Sequence, residues 1–246
     1  MTIASGRSGL SRLLIAAAAL ATALAAGCSA SGGGGSSPAP SASGSASGQA
    51  GMRSYSLPAS VRTLKVNNRV GTVNVTAGSG SSRVQVTEQP TGGPSSSHQV
   101  SGSTGTLTAS CSGPSDCHMN YQVKMPSDVA LNVTGAVGKV TLQGGPSKAD
   151  ISTDAGQVTG SGLIRGSYTV STKAGQVSLK FAAAPSLVKV STTAGAIGVT
   201  VPGSSSYRVK ASSDIGSTDV NVPSKAQASN NIDLHATFGH ISLNKG

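Results

Sequence analysis

The sequence predicts an all-β protein, a β-solenoid (β-helix-like) of about seven coils with an irregular N-terminal section. The first observation is a short phrase that recurs along the second half of the chain and is clearest at 168–179, YTVSTKAGQVSL. The second is its central glycine, which returns every 18 to 23 residues at Gly138, Gly156, Gly175, Gly195, Gly216 and Gly239. A repeat of this length is typical of solenoids.

Apolar residues stand in five columns, at seven, five and one positions before the glycine and at two and four after it. The columns five before, one before and two after read Val133, Ile151, Val170, Val190, Ala211, Leu234; Val137, Ala155, Ala174, Ala194, Ile215, Phe238; and Val140, Val158, Val177, Ile197, Thr218, Ile241. Polar residues separate them. This alternation predicts strand, glycine corner and strand in each coil, with all five columns buried.

The glycine suits a corner because it tolerates positive φ and has no Cβ to collide with the next coil. An earlier copy around Gly71, with Leu64, Val66, Val73 and Val75, raises the number of coils to seven. Coils should stack about 4.8 Å apart. The register then predicts that Val170 contacts Ile151 and Val190, and that Val177 contacts Val158 and Ile197.

The first 27 residues read as a lipoprotein signal peptide. Arg7 and Arg12 precede an apolar run at 13–26, which is too short for a comfortable transmembrane helix. The ending Ala26-Gly27-Cys28 resembles the lipobox of bacterial lipoproteins, although Leu24 lies one position further from the cysteine than in the common pattern. This resemblance implies a lipidated Cys28; an ordinary cleaved signal is the alternative.

Residues 28–51 are predicted to be the lipidated cysteine and a flexible tether of Ser, Gly, Ala and Pro, without charge. A Gly/Ser-type coil of this length spans roughly 25–30 Å on average. It would hold a folded domain away from the extracytoplasmic face of the cell membrane.

Residues 52–246 are predicted to be a single β-solenoid domain. Its irregular part contains strands at 54–57, 64–66, 70–76, 83–88, 106–110 and 121–125, with a loop at 89–98. Gly71 and Gly138 are 67 residues apart, so this section interrupts the repeat. We expect it to cover one end of the solenoid, because an open end exposes apolar side chains and a strand edge.

Cys111 and Cys117 are an even pair in a chain that reads as exported, which predicts a disulfide. A metal site with the adjacent His118 is the alternative. The spacing does not match the usual zinc pattern, and a fourth ligand would have to come from elsewhere.

The chain carries a formal net charge of +10, which becomes +8 without Arg7 and Arg12. Its lysines are spread over different coils and columns, which indicates a solvated polar face or weak attraction to anionic envelope polymers. We expect no nucleic-acid partner, because a tethered chain with only 2% aromatic residues offers no platform for stacking bases.

No catalytic or cofactor motif is found, so we expect no enzyme activity, no cofactor and no metal. The eight acids are scattered, with Asp154 beside Lys173 as an exposed cross-coil pair. His235 and His240 flank the last corner, and no Gly-x-Ser-x-Gly elbow has plausible acid and histidine partners. A polysaccharide hydrolase or lyase usually lines its groove with acids and aromatic residues, in which this chain is poor.

The repeat phrase around Gly138, Gly156, Gly175, Gly195 and Gly216 resembles the bacterial β-strand-repeat family known as "putative adhesin", related to head-GIN and toastrack domains. The resemblance covers about 64–243 and implies an exported or membrane-attached β-solenoid without known catalysis. It supplies no functional residues. Two hypotheses follow: a surface interaction, adhesin-like or envelope-sensing scaffold that binds an envelope protein, or a module that binds anionic cell-wall or lipid polymers.

Overall fold

The computed structural model describes residues 51–112 and 116–246. The predicted signal peptide, the lipidation of Cys28 and residues 29–50 of the tether lie outside these ranges. The described residues form twelve strands in chain order: β1 Arg53–Ser56, β2 Thr63–Ala77, β3 Gln85–Thr91, β4 Ser95–Ser101, β5 Thr104–Ser110, β6 His118–Met125, β7 Ala130–Gln143, β8 Lys148–Leu163, β9 Ser167–Phe181, β10 Leu187–Val201, β11 Tyr207–Val220 and β12 Asn230–Lys245.

Seven of these strands are long, and each contains one corner glycine that divides it into a first and a second limb. They are β2 and β7 to β12, and they pair in parallel in the order β2-β7-β8-β9-β10-β12-β11. The all-β solenoid of about seven coils is therefore confirmed. The separate strands predicted at 64–66 and 70–76 are the two limbs of β2.

The predicted register is also confirmed. Ile151 is opposite Val170, and Val170 is opposite Val190 in the next coil. Val177 lies in the same way between Val158 and Ile197. The inward side chains of both limbs form one continuous hydrophobic core.

The prediction that the column just before the glycine is buried is wrong. In β9 the buried side chains are Tyr168, Val170 and Thr172 before the corner and Val177, Leu179 and Phe181 after it, so alternation shifts by one residue at the corner. Gly175 causes the shift with its φ of 144°. Ala174 therefore faces solvent, and Thr172, three residues before the glycine, takes an inward place that the sequence pattern had not assigned.

The order of the last two coils differs from the order along the chain. β12 lies between β10 and β11, and β11 is the terminal strand. The inward residues of β12 are strongly apolar and buried, namely Ile232, Leu234, Ala236, Ile241 and Leu243, whereas β11 offers Val209, Ala211, Ser213, Thr218 and Val220. Placing the more apolar strand between two neighbours buries more apolar surface.

The N-terminal section covers the other end. β5 pairs with the first limb of β2 and β6 with its second limb, so together they form one interrupted coil. β4 then pairs antiparallel with β5, and β3 with β6, followed by β1. The loop predicted at 89–98 is wrong in part, since β3 extends to Thr91 and β4 begins at Ser95.

A buried carboxylate holds this cap together. Glu88 on β3 accepts hydrogen bonds from the Tyr55 hydroxyl at 2.6 Å and from Ser96 Oγ at 3.2 Å, which link it to β1 and β4. Tyr55 also stacks on His98 of β4, with ring centroids 4.2 Å apart. The short outer strands are thus fixed by side chains as well as by backbone pairing.

Candidate interaction surfaces

A disulfide joins Cys111 and Cys117, whose Cα atoms are 5.7 Å apart. It bridges the segment between β5 and β6, where the other coils have their corner glycine. Around it, Asn68 Nδ2 donates to the carbonyl oxygen of Met119 at 2.9 Å, and the N–H of Thr72 donates to Asn120 Oδ1 at 3.0 Å. Among the described residues no cluster of three or more potential metal ligands is found, His118 included.

The corner residues form an exposed apolar row, which we call the corner column. It consists of the residues directly before each corner glycine from β7 onward, in spatial order Val137, Ala155, Ala174, Ala194, Phe238 and Ile215. Its large members are 55% exposed at Val137, 50% at Phe238 and 62% at Ile215. A continuous apolar row on a monomer surface is a feature of interaction sites.

Charges on the outer face are mixed in sign. In the column six before the glycine, Asp233 of β12 lies directly between Lys189 of β10 and Lys210 of β11. The predicted exposed pair is present, with Lys173 Nζ 2.7 Å from Asp154 Oδ1. Such pairs contribute about 0–1 kcal/mol. These contacts interrupt the basic charge that the composition alone suggested.

Two histidines of β12 each contact a serine and an aspartate of β11. Ser212 Oγ is 3.2 Å from His235 Nδ1, and Asp214 Oδ2 is 3.7 Å from His235 Nε2. The corresponding distances for His240 are 2.7 Å to Ser217 Oγ and 3.6 Å to Asp219 Oδ2. The columns place each histidine opposite its serine, but sequence reasoning missed these groups because it had no measure of which aspartates lie diagonally within reach.

These serine, histidine and aspartate side chains lie on the outer face of the sheet and are exposed or half-exposed. Hydrolysis of a carbonyl substrate needs a cleft that buries the substrate, together with hydrogen-bond donors aimed at the oxyanion. Neither of the two pockets described below is lined by these residues. The two groups form cross-strand polar contacts between β11 and β12.

A surface pocket of about 200 Å³ lies at the C-terminal end, between the loop before β11 and the loop after it. Its lining includes Ser204, Ser205, Ser206, Lys225 and Lys245. The hydroxyl and ammonium groups suit a small anion. A second cavity, of about 10 Å³, lies behind the corner beside Asn68 and Thr153, where Asn68 Oδ1 and Thr153 Oγ1 have no hydrogen-bond partner. It has room for about one water molecule.

No family model matches the sequence, and neither does any curated protein. The structure is similar to a "putative cell adhesion protein" from Clostridium sporogenes, at 12% identity and a TM-score of 0.47, covering 79% of this chain and 99% of that chain. It is also similar to a "putative adhesin" from Bacteroides fragilis, at 14% identity and a TM-score of 0.38, covering 79% of this chain and 96% of that one.

A "putative adhesin" from Parabacteroides merdae is similar at 10% identity and a TM-score of 0.28, covering 79% of this chain and 95% of that one. The names of these neighbours agree with the family that the repeat phrase resembles. Among the residues described, none belongs to a helix of the length and apolar character that a membrane span requires.

Proposed function

We propose that this chain is a non-catalytic, lipid-anchored module of the extracytoplasmic face of the bacterial cell membrane, and that it binds another envelope protein through the corner column. The observation that carries the proposal is the exposure of Phe238, Ile215 and Val137 in one row. Water-exposed apolar side chains in a contiguous row favour burial against an apolar counterpart. The predicted lipid on Cys28 and the tether would keep the module close to its partner.

The mixed charge of the outer face favours a protein over an anionic polymer. A polymer of repeating negative charge binds best to a continuous basic strip, whereas Asp233 lies between Lys189 and Lys210 here. The pocket with Lys225 and Lys245 is the observation that favours the polymer. Binding of an anionic wall or lipid polymer is therefore the second candidate function.

Site-specific photo-cross-linking in intact membranes tests the proposal. A photoreactive residue at Ala174 in the corner column should give a discrete adduct with another envelope protein, whereas one at Ser171, exposed on the same strand, should give none. The variant Phe238→Ser/Ile215→Ser should abolish the adduct at Ala174. Its thermal stability should stay near that of the parent, because both side chains are already exposed.

Equal adducts from Ala174 and Ser171, or an adduct that survives loss of both large side chains, would overturn the corner column as the binding surface. Polymer binding is separated by the variant Lys225→Gln/Lys245→Gln. This variant should leave the protein adduct unchanged if the proposal is right. Loss of retention on cell-wall material in this variant alone would favour the second candidate.

A further inference from the structure

The solenoid ends differently at its two ends. At the N-terminal end the long parallel strands are covered by short antiparallel ones, of which the outermost are β1 with four residues and β4 with seven. At the C-terminal end the outermost strand is β11, with 14 residues in parallel register with β12. A long, regular edge strand presents unpaired N–H and C=O groups and is a template for another strand.

Part of this edge is covered by the chain itself. The segment that follows β11 runs back alongside the first residues of β11. There the N–H of Lys225 donates to the carbonyl oxygen of Tyr207 at 2.8 Å, and the N–H of Val209 donates to Ser224 Oγ at 3.0 Å. From Ala211 to Val220, none of the residues that the structure describes pairs with β11 on this side. The open stretch includes both limbs and the corner.

Alternation identifies the groups that face this open edge. In a strand, the N–H and C=O groups of one residue point to the same side, and those of the next residue point to the other side. Since Tyr207 and Val209 bond outward, Ala211 and Ser213 also present their backbone groups to the open edge. On the second limb Asn221 donates inward, to the carbonyl oxygen of Leu243 at 2.8 Å. Thr218 and Val220 therefore face the open edge, with a change of parity at the corner.

This change of parity is what antiparallel pairing of β11 with a second copy of itself requires. The residues whose backbone groups face the open edge are odd-numbered on the first limb and even-numbered on the second. A two-fold axis pairs the first limb of one copy with the second limb of the other. The numbers of two paired residues must therefore add up to an odd sum. The corners of the two β11 strands must also coincide, and this places the axis between Ile215 and Gly216. Ala211 then pairs with Val220 of the second copy, and Ser213 with Thr218.

The side chains in this register are complementary. Val220, which is 41% exposed, would pack beside Ala211 of the second copy on the inner face. On the outer face Ser212 would lie opposite Asp219, and Lys210 would lie diagonal to the same aspartate, within reach of its long side chain. Asp214 would lie opposite Ser217, so no two like charges face each other directly.

We propose that two copies of this chain associate end to end, through antiparallel pairing of β11 with β11 around a two-fold axis at the Ile215–Gly216 corner. The pairing joins the two sheets edge to edge, and the axis exchanges first and second limbs. Such a contact is isologous and closes at two chains, as in most homodimers. It uses backbone groups of the sheet edge, whereas the corner column binds through exposed side chains, and the two surfaces meet at Ile215.

Cysteine cross-linking in membranes that contain the full chain tests the pairing. In the variant Ser212→Cys/Asp219→Cys, each new cysteine faces its counterpart across the axis in a non-hydrogen-bonded pair, where Cα atoms are about 4.5 Å apart, within disulfide range. Mild oxidation should convert most of the chain into a covalent dimer on a non-reducing gel. The matched control Ser171→Cys/Ser178→Cys places cysteines in the same two columns of β9, which is paired on both sides, and should remain monomeric.

A third variant reports the register. Ser212→Cys/Ser217→Cys should not cross-link, since these residues become opposite only if the pairing slips by two residues. Adding Thr218→Pro to the first variant removes an N–H that faces the open edge and leaves the pairing with β12 intact. It should abolish the cross-link while thermal unfolding of the protein remains cooperative.

Three outcomes would overturn the proposal. The first is an absence of dimer in Ser212→Cys/Asp219→Cys. The second is equal cross-linking of the β9 control, which would indicate random collision of anchored chains. The third is a covalent adduct with a different protein in place of the dimer, which would assign the edge to a partner strand.

Discussion

The carbonyl oxygen of Gly156 occupies the position that a Cβ on Gly175 would need. The same overlap recurs from coil to coil, with Gly138 against Gly71 and Gly195 against Gly175. The corners therefore pack backbone on backbone, and each corner glycine is required both by its φ and by the space that its neighbour fills.

This contact predicts that Gly175→Ala is strongly destabilising. The φ of 144° is unfavourable for any residue with a Cβ, and the methyl group would collide with rigid backbone of the next coil. We expect a loss of at least about 2 kcal/mol in unfolding free energy, measured by denaturant melts.

Gly198→Ala is the matched control, because Gly198 is also a strand glycine but its added Cβ would come no closer than 3.6 Å, to Ser242 Oγ. It should be neutral or stabilising by up to about 1 kcal/mol through reduced entropy of the unfolded chain. Similar losses from both substitutions would contradict the close packing of the corners.

The inward and outward positions of one strand should respond oppositely to charge. Val170 is 1% exposed in the core, and Val170→Asp should lower the unfolding free energy by several kcal/mol, because a lone carboxylate has no partner there. Ser171→Asp, on the outer face, should change it by less than about 0.5 kcal/mol. Thermal or denaturant melts of the two variants decide this, and equal effects would contradict the register.

The disulfide should stabilise the cap. Cys111→Ser/Cys117→Ser opens a small loop, so we expect a loss of roughly 2 kcal/mol, with little change in secondary structure by circular dichroism. Thiol titration of the unreduced, denatured wild-type domain should find neither cysteine free. Reactive thiols at both positions would show that the bond does not form.

Alkaline pH should unfold the protein as its tyrosines lose their protons. Burial raises the pKa of Tyr168 to about 12, and its hydroxyl is within hydrogen-bond distance of the carbonyl oxygens of Pro146 and Ile164. Burial also raises the pKa of Tyr55, Tyr121 and Tyr207. The folded state binds these protons more tightly than the unfolded state, so this stability is present below pH 10 and declines as the pH rises toward about 12.

Absorbance of ionised tyrosine should consequently rise together with unfolding rather than at the pH of a free tyrosine. Tyr168→Phe should reduce the dependence of stability on pH in this window. If the tyrosines of the folded protein titrated near the pKa of a free tyrosine, the expected burial would be refuted.

We predict that Cys28, which lies outside the described residues, anchors the chain through a lipid. Cys28→Ala should prevent acylation, so that the precursor either keeps its signal peptide or is cut elsewhere. Mass spectrometry of the mature N-terminus checks this. A wild-type chain whose N-terminus carries no lipid would end the lipoprotein proposal, and would leave the corner column and the β11 edge unaffected.

The sequence by itself determined the coil. The interval between glycines set the number of long strands, and apolar alternation set their register, so the contacts of Val170 with Ile151 and Val190 followed from local pattern alone. The bond between Cys111 and Cys117 could also be predicted from the sequence, because the number and spacing of the cysteines are properties of the chain and not of its packing.

Only the tertiary structure decided what the solenoid exposes. The column that contains Phe238 and Ile215 faces solvent because positive φ at the glycine shifts the alternation, and apolarity alone gives no sign of that shift. β12 lies between β10 and β11 because it buries more apolar surface between two neighbours than β11 would. This depends on a comparison of the two strands and cannot be found from either strand alone. That exchange leaves the edge of β11, and not that of β12, as the end of the stack.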